Sequence, residues 1–447
     1  MKCVIRLNII LFLTVILSCL KVSAEEIPVQ LHLNLKQTLL MAKERSAQVI
    51  MANERVQQSL ARIGQSRSTL FPQLTASASE KRQTRDLRSA GISLGNSDPL
   101  VGPFNSYDAR IKLTQTLFDA AAMERLSTMH HAHDLTSAQY KKIQQDTLAF
   151  VASLFIEAKR SFQTLKVARS FIKRDMKHLN VVRSQSRLGL SSSLELTKAQ
   201  ADYKRSVYLW HTAVKEAHER RLDLGAALGI EKDVIIIFEE DDHNWILPNE
   251  ILTRLDEVPD IRIAEEELKA SQSLRSVEKK EYWPKVSAMA DYGPSGVSPS
   301  DANETYTLGV MASVPIWEGG LRSSRIKETQ SQVKEKEINL KDVQRRQEAN
   351  VLSAIETIKQ AKAFVRQRES ELKVAHEQIK IAQQRLGSGI GSDLELADSL
   401  AQQLSANDQK EDAAATYLMA QINLAHALGR IDYFLNTKES EGVSRAK

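Results

Sequence analysis

Cysteine is almost absent from this chain of 447 residues, and the two it has, Cys3 and Cys19, both fall in the first two dozen. That opening stretch (1–24) reads as a secretory signal peptide. Lys2 and Arg6 give a positive start, residues 7–17 an apolar stretch, and Val22-Ser23-Ala24 a small-residue cleavage site ahead of Glu25. Cleavage after Ala24 leaves a chain without cysteine, which excludes a disulfide framework while tolerating oxidising surroundings. A competing reading takes Ile16-Leu17-Ser18-Cys19 as a poor lipobox, with Cys19 as the lipidated residue. The leader carries three basic and no acidic residues, so its loss lowers the formal net charge from +5 to +2. No Lys/Arg block with interleaved aromatics remains, so nucleic acid is not an expected partner.

Long apolar runs are missing too. Past the leader the longest notable one is 234–238, far short of the roughly 20 residues a membrane-spanning helix needs. A secreted chain of this kind is soluble, lipid-anchored or a β-type membrane protein, and its strands decide which. Catalytic signatures are also lacking: there is no Walker A, His-Glu-x-x-His or Gly-x-Ser-x-Gly pattern. The glycine alternation Gly387-Ser388-Gly389-Ile390-Gly391 follows a helix instead of a strand, and its spacing is wrong for a phosphate cradle. His130, His131 and His133 sit close on one helix. The sequence fixes no carboxylate or cysteine partner for them, so no metal site is expected. The acidic run Glu239-Glu240-Asp241-Asp242 reads as a solvated segment and not as a calcium site. No cofactor and no enzymatic activity are expected.

What the chain does contain is a duplication with an offset of about 200 residues. Val151, Ala158, Leu165, Ile172 and Leu179 recur as Val351, Ile358, Val365, Leu372 and Ile379. Gly189-Leu190-Ser191-Ser192-Ser193-Leu194-Glu195-Leu196 returns as Gly389-Ile390-Gly391-Ser392-Asp393-Leu394-Glu395-Leu396, and Ala227-Leu228-Gly229 as Ala427-Leu428-Gly429. The first repeat (25–230) opens with a helical pattern over 35–70, stopped by Phe71-Pro72. Two alternating segments follow, the first around Leu74, Ala76 and Ala78. The second has Tyr107, Ala109, Ile111, Leu113 and Leu117 on one face and Asp108, Arg110, Lys112, Thr114 and Thr116 on the other. The turn-rich stretch 91–103 between them reads as a loop.

The second repeat (259–430) has the same plan. Trp283-Pro284 mirrors Phe71-Pro72. Val286, Ala288, Ala290 and Tyr292 alternate along one strand, and Tyr306, Leu308, Val310, Ala312, Val314 and Ile316 along the next. The two strand-loop-strand units, 72–118 and 284–316, thus give four strands of about the 9–11 residues that cross a bilayer at a tilt. A sandwich strand with one face in a core is the rival reading of each strand taken singly. Four strands in two matched hairpins favour the membrane.

Helix pairs over 119–230 and 318–430 complete the repeats. Each opens with a helix of roughly 70 residues, or about 105 Å. Charges along them, as in Lys334-Glu335-Lys336-Glu337, exclude a lipid location, and the sevens Val351, Ile358, Val365, Leu372, Ile379 and Leu386 make a coiled-coil seam. From Leu340 to Val351 the apolar spacing is 11, a step that locally unwinds a supercoil. Between the repeats lies a linker, 231–258, with a short buried strand at 234–238, and a C-terminal tail follows at 431–447, polar after Phe434. The fold class is therefore mostly α with membrane β. Because four strands are too few to close a barrel, an oligomer is expected. Glu395 and Asp398 share a helix face near its start. Acids in a first turn favour the helix dipole, which is the simpler reading of the spacing; the other is a symmetry-repeated ring of carboxylates around a pore.

Taken in order, Phe71-Pro72-Gln73-Leu74, Gln115-Thr116-Leu117-Phe118-Asp119, Val258-Pro259-Asp260-Ile261-Arg262, Val314-Pro315-Ile316-Trp317-Glu318-Gly319-Gly320 and Gly389-x-x-Ser392-x-Leu394-Glu395 resemble the TolC-like outer-membrane factor family over essentially the whole mature chain. The resemblance implies a homotrimer in the outer membrane of a Gram-negative bacterium, with a 12-stranded barrel. Most of each chain would lie in the periplasm as a helical tunnel (a periplasmic α-barrel of coiled-coil helices), with 231–258 in an equatorial collar. It implies a passive exit duct of a tripartite efflux pump or type I secretion system, docked on a periplasmic adaptor (membrane fusion protein) and an inner-membrane transporter. It puts adaptor contacts at the tips Leu188-Gly189-Leu190 and Ser388-Gly389-Ile390. It puts Glu395 and Asp398 at the periplasmic constriction, which favours the pore reading. The tyrosine and arginine that lock the aperture in the best-known members correspond to Leu386 and Gly391. The rival class is a periplasmic adaptor or another coiled-coil structural protein, which should carry one hairpin flanked by split β-domain halves. A secreted hydrolase would need a nucleophile or metal set that the sequence lacks.

Overall fold

The structure, a computed structural model, describes residues 30–91, 99–230, 235–238 and 258–436. The leader with Cys3 and Cys19, the acidic run 239–242, nearly all of the linker 231–258 and the tail from 437 lie outside the described residues. The described elements are β1 (Gln30–Leu33), α1 (Leu35–Arg45), α2 (Ala47–Ser68), β2 (Gln73–Asp86), β3 (Leu100–Asp119), α3 (Ala120–Arg187), α4 (Ser193–Ala227) and β4 (Ile235–Phe238). After the linker come α5 (Pro259–Lys280), β5 (Lys285–Gly296), β6 (Ala302–Ser313), α6 (Leu321–Gly387), α7 (Asp393–Ala427) and α8 (Tyr433–Asn436). The chain divides into two compact units, Met1–Thr38 with Leu154–His243, and Leu39–Ser153 with Asn244–Lys447.

In the first unit the C-terminal part of α3 packs against α4 through Leu179, Val182 and Ala199, with Leu196 and Tyr203 closing the seam. The strand expected at 234–238 is present as β4, and it pairs in parallel with β1, register Leu31↔Ile236 and Leu33↔Phe238. Phe238 lies edge-on to Phe155 and Phe162 of α3, with ring centroids 5.5 and 5.3 Å away. Sequence periodicity gave no hint of β1, because a four-residue strand is too short to show a period.

In the second unit α6 runs unbroken for 67 residues, about 100 Å at the α-helical rise. The seam includes a row that apolar periodicity missed. Beside Val351 and Ile379, Ala361, Ala375 and Ala382 are buried at positions that keep the sevens, and α7 answers with buried Ala413 and Ala420. Alanine at an interhelical contact lets the axes approach closely. The 11-residue step also has an explanation: Gln347, seven past Leu340, is buried and donates to the carbonyl of Ala427 at the end of α7. The heptad thus continues through a polar residue and then takes a four-residue insertion to Val351.

Several boundaries differ from expectation. The helix over 35–70 is broken at Ser46, whose backbone is extended (ψ 125°). The surplus length of the first hairpin goes mainly into its strands, 14 and 20 residues against 12 and 12 in the second, so β3 already begins at Leu100 inside the expected loop. The strand expected through Ile316 ends at Ser313, because Pro315 cannot donate to a ladder. Helix α6 starts at Leu321 and not at Glu318, since Gly319 and Gly320 both take positive φ. At the far end, Ile431, Phe434 and Leu435, at the start of the C-terminal tail, are buried.

The Ala427-Leu428-Gly429 motif meets the Val258-Pro259 motif in space. Gly429 has φ +66°, and a Cβ on it would lie 2.3 Å from Pro259 Cδ, at the first turn of α5. A Gly429→Ala variant therefore combines left-handed strain with overpacking and should lose about 2–5 kcal/mol. The check is the thermal transition of the purified protein, which should fall by several degrees; an unchanged transition would contradict this packing.

Candidate functional site

Four strands of the second unit form one antiparallel sheet in the order β2-β3-β5-β6. Cross-strand register builds two unlike faces. On one, Leu74↔Leu113↔Ala290↔Leu308 and Ala76↔Ile111↔Tyr292↔Tyr306 make continuous apolar rows. They are open to the surroundings: Leu74 is 71% exposed, Leu308 79% and Tyr306 80%. On the other, Thr75↔Lys112↔Asp291↔Thr307 is polar. Arg110 ties that face together, reaching Asp108 at 2.8 Å, Asp291 at 2.6 Å and Thr305 at 3.2 Å.

Aromatic residues bracket the apolar face. Phe118 and Trp283, with centroids 6.3 Å apart, lie at the helix end of the sheet with the exposed Trp317. Tyr107, Tyr292 and Tyr306 lie towards the other end. From Trp283 to Tyr292 is nine residues, about 30 Å along a strand and about 23 Å once tilted by ~40°. That matches the apolar band of roughly 25 Å between aromatic girdles of an outer-membrane barrel. Among the described residues neither β2 nor β6 pairs on its outer side.

Where the sheet meets the helices, a cluster of charges replaces the apolar rows. Glu281 accepts from Arg125 at 2.6 Å and from Lys285 at 2.8 Å. Arg322 stands 3.9 Å from it and pairs with Glu318 at 2.6 Å. Burial pushes the Glu281 carboxyl up, but the hydrogen bonds from Lys285 and Arg125 outweigh it and hold the group below its ordinary range. Burial likewise opposes Glu124, and Lys280 and Ser273 hold it down. Both acids lie outside the strands.

The tips expected at Leu188-Gly189-Leu190 and Ser388-Gly389-Ile390 are tight reversals. Gly189 and Gly389 adopt φ of 73° and 74°, and the amides of Leu190 and Ile390 return to Gln185 and Arg385 carbonyls at 2.9 and 3.0 Å. Such left-handed closures are glycine's role at helix ends. They leave Leu188, Leu190 and Ile390 about three-quarters exposed (73%, 75% and 76%). Ser192 and Ser392 then cap the return helices, each accepting the amide of the residue three on.

The duplicated caps differ in their carboxylates. Glu195 folds back onto the Ser192 amide at 2.9 Å, closing a capping box, and that backbone bond lowers its pKa. Glu395 is instead taken by Arg385 of α6 at 2.8 Å. Asp398, half-buried one turn on, accepts from Gln402 at 2.9 Å, and its place in the first copy is occupied by Lys198. Arg385 was not singled out in the sequence because its partner lies on the next helix, across a turn. The three histidines also part company: His133 lies 2.8 Å from Ser59 Oγ, while His131 faces Glu266 of α5.

A family model for outer membrane efflux proteins matches residues 39–229 and 252–430. The chain belongs to that family, the TolC-like outer-membrane factors. It is an outer-membrane efflux channel protein, of a kind found in Gram-negative bacteria, and the family consists of channels and not of enzymes. Among its relatives are the outer membrane protein TolC of Salmonella enteritidis, 20% identical over 83% of this chain and 77% of that protein, and the probable efflux pump outer membrane protein TtgC of Pseudomonas putida, 23% identical over 81% and 76%. The crystal structure of the Campylobacter jejuni CmeC outer membrane channel shares the fold, with a TM-score of 0.74 at 14% identity over 88% of this chain and 85% of that one.

The junction charges of this channel protein give a pH dependence. Folded Glu124 and Glu281 titrate below their unfolded value of about 4.3, so the unfolded state binds more protons there. Their contribution is complete above that value and is lost as pH falls through the lowered ones. Glu281→Gln should therefore cost about 1–3 kcal/mol at neutral pH and flatten the acid limb of the melting-temperature profile. A profile parallel to wild type would remove Glu281 from the acid response.

Proposed function

We propose that three copies of this chain close their sheets edge to edge into a 12-stranded barrel, making a passive exit duct whose helices continue as a tunnel across the periplasm. The observation that carries this is the open sheet with an exposed apolar face and two edges that, among the described residues, are unpaired. In lipid an unpaired edge leaves backbone groups unsatisfied, each costing several kcal/mol, so only closure is tolerated. The polar face with Arg110, Lys112 and Asp291 would then line water. Each chain contributes two equivalent repeats, 25–230 and 259–430, joined by 231–258. In this reading the exposed apolar tips Leu188, Leu190 and Ile390 dock on a periplasmic adaptor that links the duct to an inner-membrane transporter. Glu395 and Asp398, repeated three-fold, form the cation-selective constriction, with Arg385 holding Glu395.

Single-channel recording tests the constriction. Replacing Glu395 and Asp398 with Ala should change conductance and weaken block by multivalent cations, and Arg385→Ala, which frees Glu395, should strengthen that block. Unchanged conductance and block would remove the carboxylates from the pore. For the duct itself, the protein should fractionate with the outer membrane and migrate unboiled at about three times the chain mass; a soluble monomer would overturn the reading.

A further inference from the structure

Helices α3 and α5 lead out of β3 and into β5, and a ladder of polar contacts joins them: Glu124 to Lys280, Thr128 to Ser273 at 2.9 Å, and Lys142 to Asp260. One rung is incomplete. Glu266 has a side chain only 3% exposed, and its Oε1 is held by Lys269 at 2.8 Å, with Arg262 at 3.6 Å. Its Oε2 is buried and has no hydrogen-bond partner, and neither has the buried Nδ1 of His131 that it faces at 3.8 Å. Asp134, exposed and one turn along α3 from His131, brings a third donor, and the three ligand atoms lie within 4.8 Å of one another.

The separation discriminates between what could join the two orphaned atoms. A direct hydrogen bond spans about 3.2 Å at most, and a water bridging two bonds of ~2.8 Å holds its partners about 4.5 Å apart. Two ligands at ~2.0–2.2 Å from one tetrahedral ion are about 3.4 Å apart, so closing the observed gap takes a few tenths of an ångström. One imidazole and two carboxylates, with the fourth position left to water, is a donor set for a zinc-class ion. Lys269, bound to the far oxygen, fixes the Glu266 carboxylate in the orientation that presents Oε2.

We propose that His131, Asp134 and Glu266 bind one divalent transition-metal ion per chain, of the zinc class, and that the ion clips α3 to α5 below the sheet. His130 takes no part, being on a different face of the helix. The experiment uses tag-free, full-length protein in detergent, stripped of metal and titrated with zinc chloride against a chromogenic chelator. One ion per chain should bind, at least ~10-fold more weakly in His131→Gln and in Asp134→Asn, with His130→Gln as wild type. Zinc should raise the melting temperature of wild type and of His130→Gln only, and cobalt(II) should give the visible band of a four-coordinate ion. Neither variant removes the buried carboxylate, so both should fold. Zinc binding that is absent from wild type, or that survives either substitution at full strength, would overturn the assignment.

Discussion

A strand at the edge of a sheet carries a row of amide and carbonyl groups with nothing to bond to, and among the described residues β2 and β6 are both such strands. Water could satisfy those rows, but the adjoining face, with Leu74, Leu308, Val310 and Tyr306 exposed, is unfavourable in water and favourable in lipid. Lipid in turn cannot satisfy the edges. The two requirements conflict within a single chain, and the proposed barrel reconciles them by pairing β6 of one copy with β2 of the next. Each copy adds four strands, so barrel size follows copy number.

The same constraint explains why polarity changes so sharply along the chain. Within the strands the non-lipid face is served by Arg110, Asp108 and Asp291. A few residues beyond, Glu281, Arg125, Lys285 and Arg322 gather in one cluster. Further on, the helices bury small residues, Ala361, Ala375 and Ala382 on α6 and Ala401, Ala413 and Ala420 on α7, which permits close approach without a thick apolar core.

Much of this was legible in the sequence because it is periodic. Strand alternation at Tyr107, Ala109, Ile111 and Leu113 and the sevens at Val351 to Leu386 each repeat a simple spacing, and duplication doubles the signal. The family resemblance followed from motif order. What escaped was aperiodic or long-range. β1 is four residues long, and the break at Ser46 leaves the helical pattern intact on both sides. Gln347 is a polar residue in an apolar position, and Arg385 meets Glu395 only after the chain reverses. His131 and Asp134 lie one turn apart, but the buried carboxylate that faces His131, Glu266, is 135 positions away in sequence.

The central claim is that β6 of one chain pairs with β2 of another. Cysteine pairs, one on β2 at Ser77 or Ala78 and one scanned along β6 from Thr305 to Met311, test it directly, since the chain's own cysteines, Cys3 and Cys19, both fall in the first two dozen residues. Under mild oxidation, at least one register should give a covalent ring of three chains in outer-membrane fractions, running at about three times the chain mass after boiling. If every pair yields only monomers, or bonds closed within one chain, the edges do not meet between copies and the barrel is not built this way.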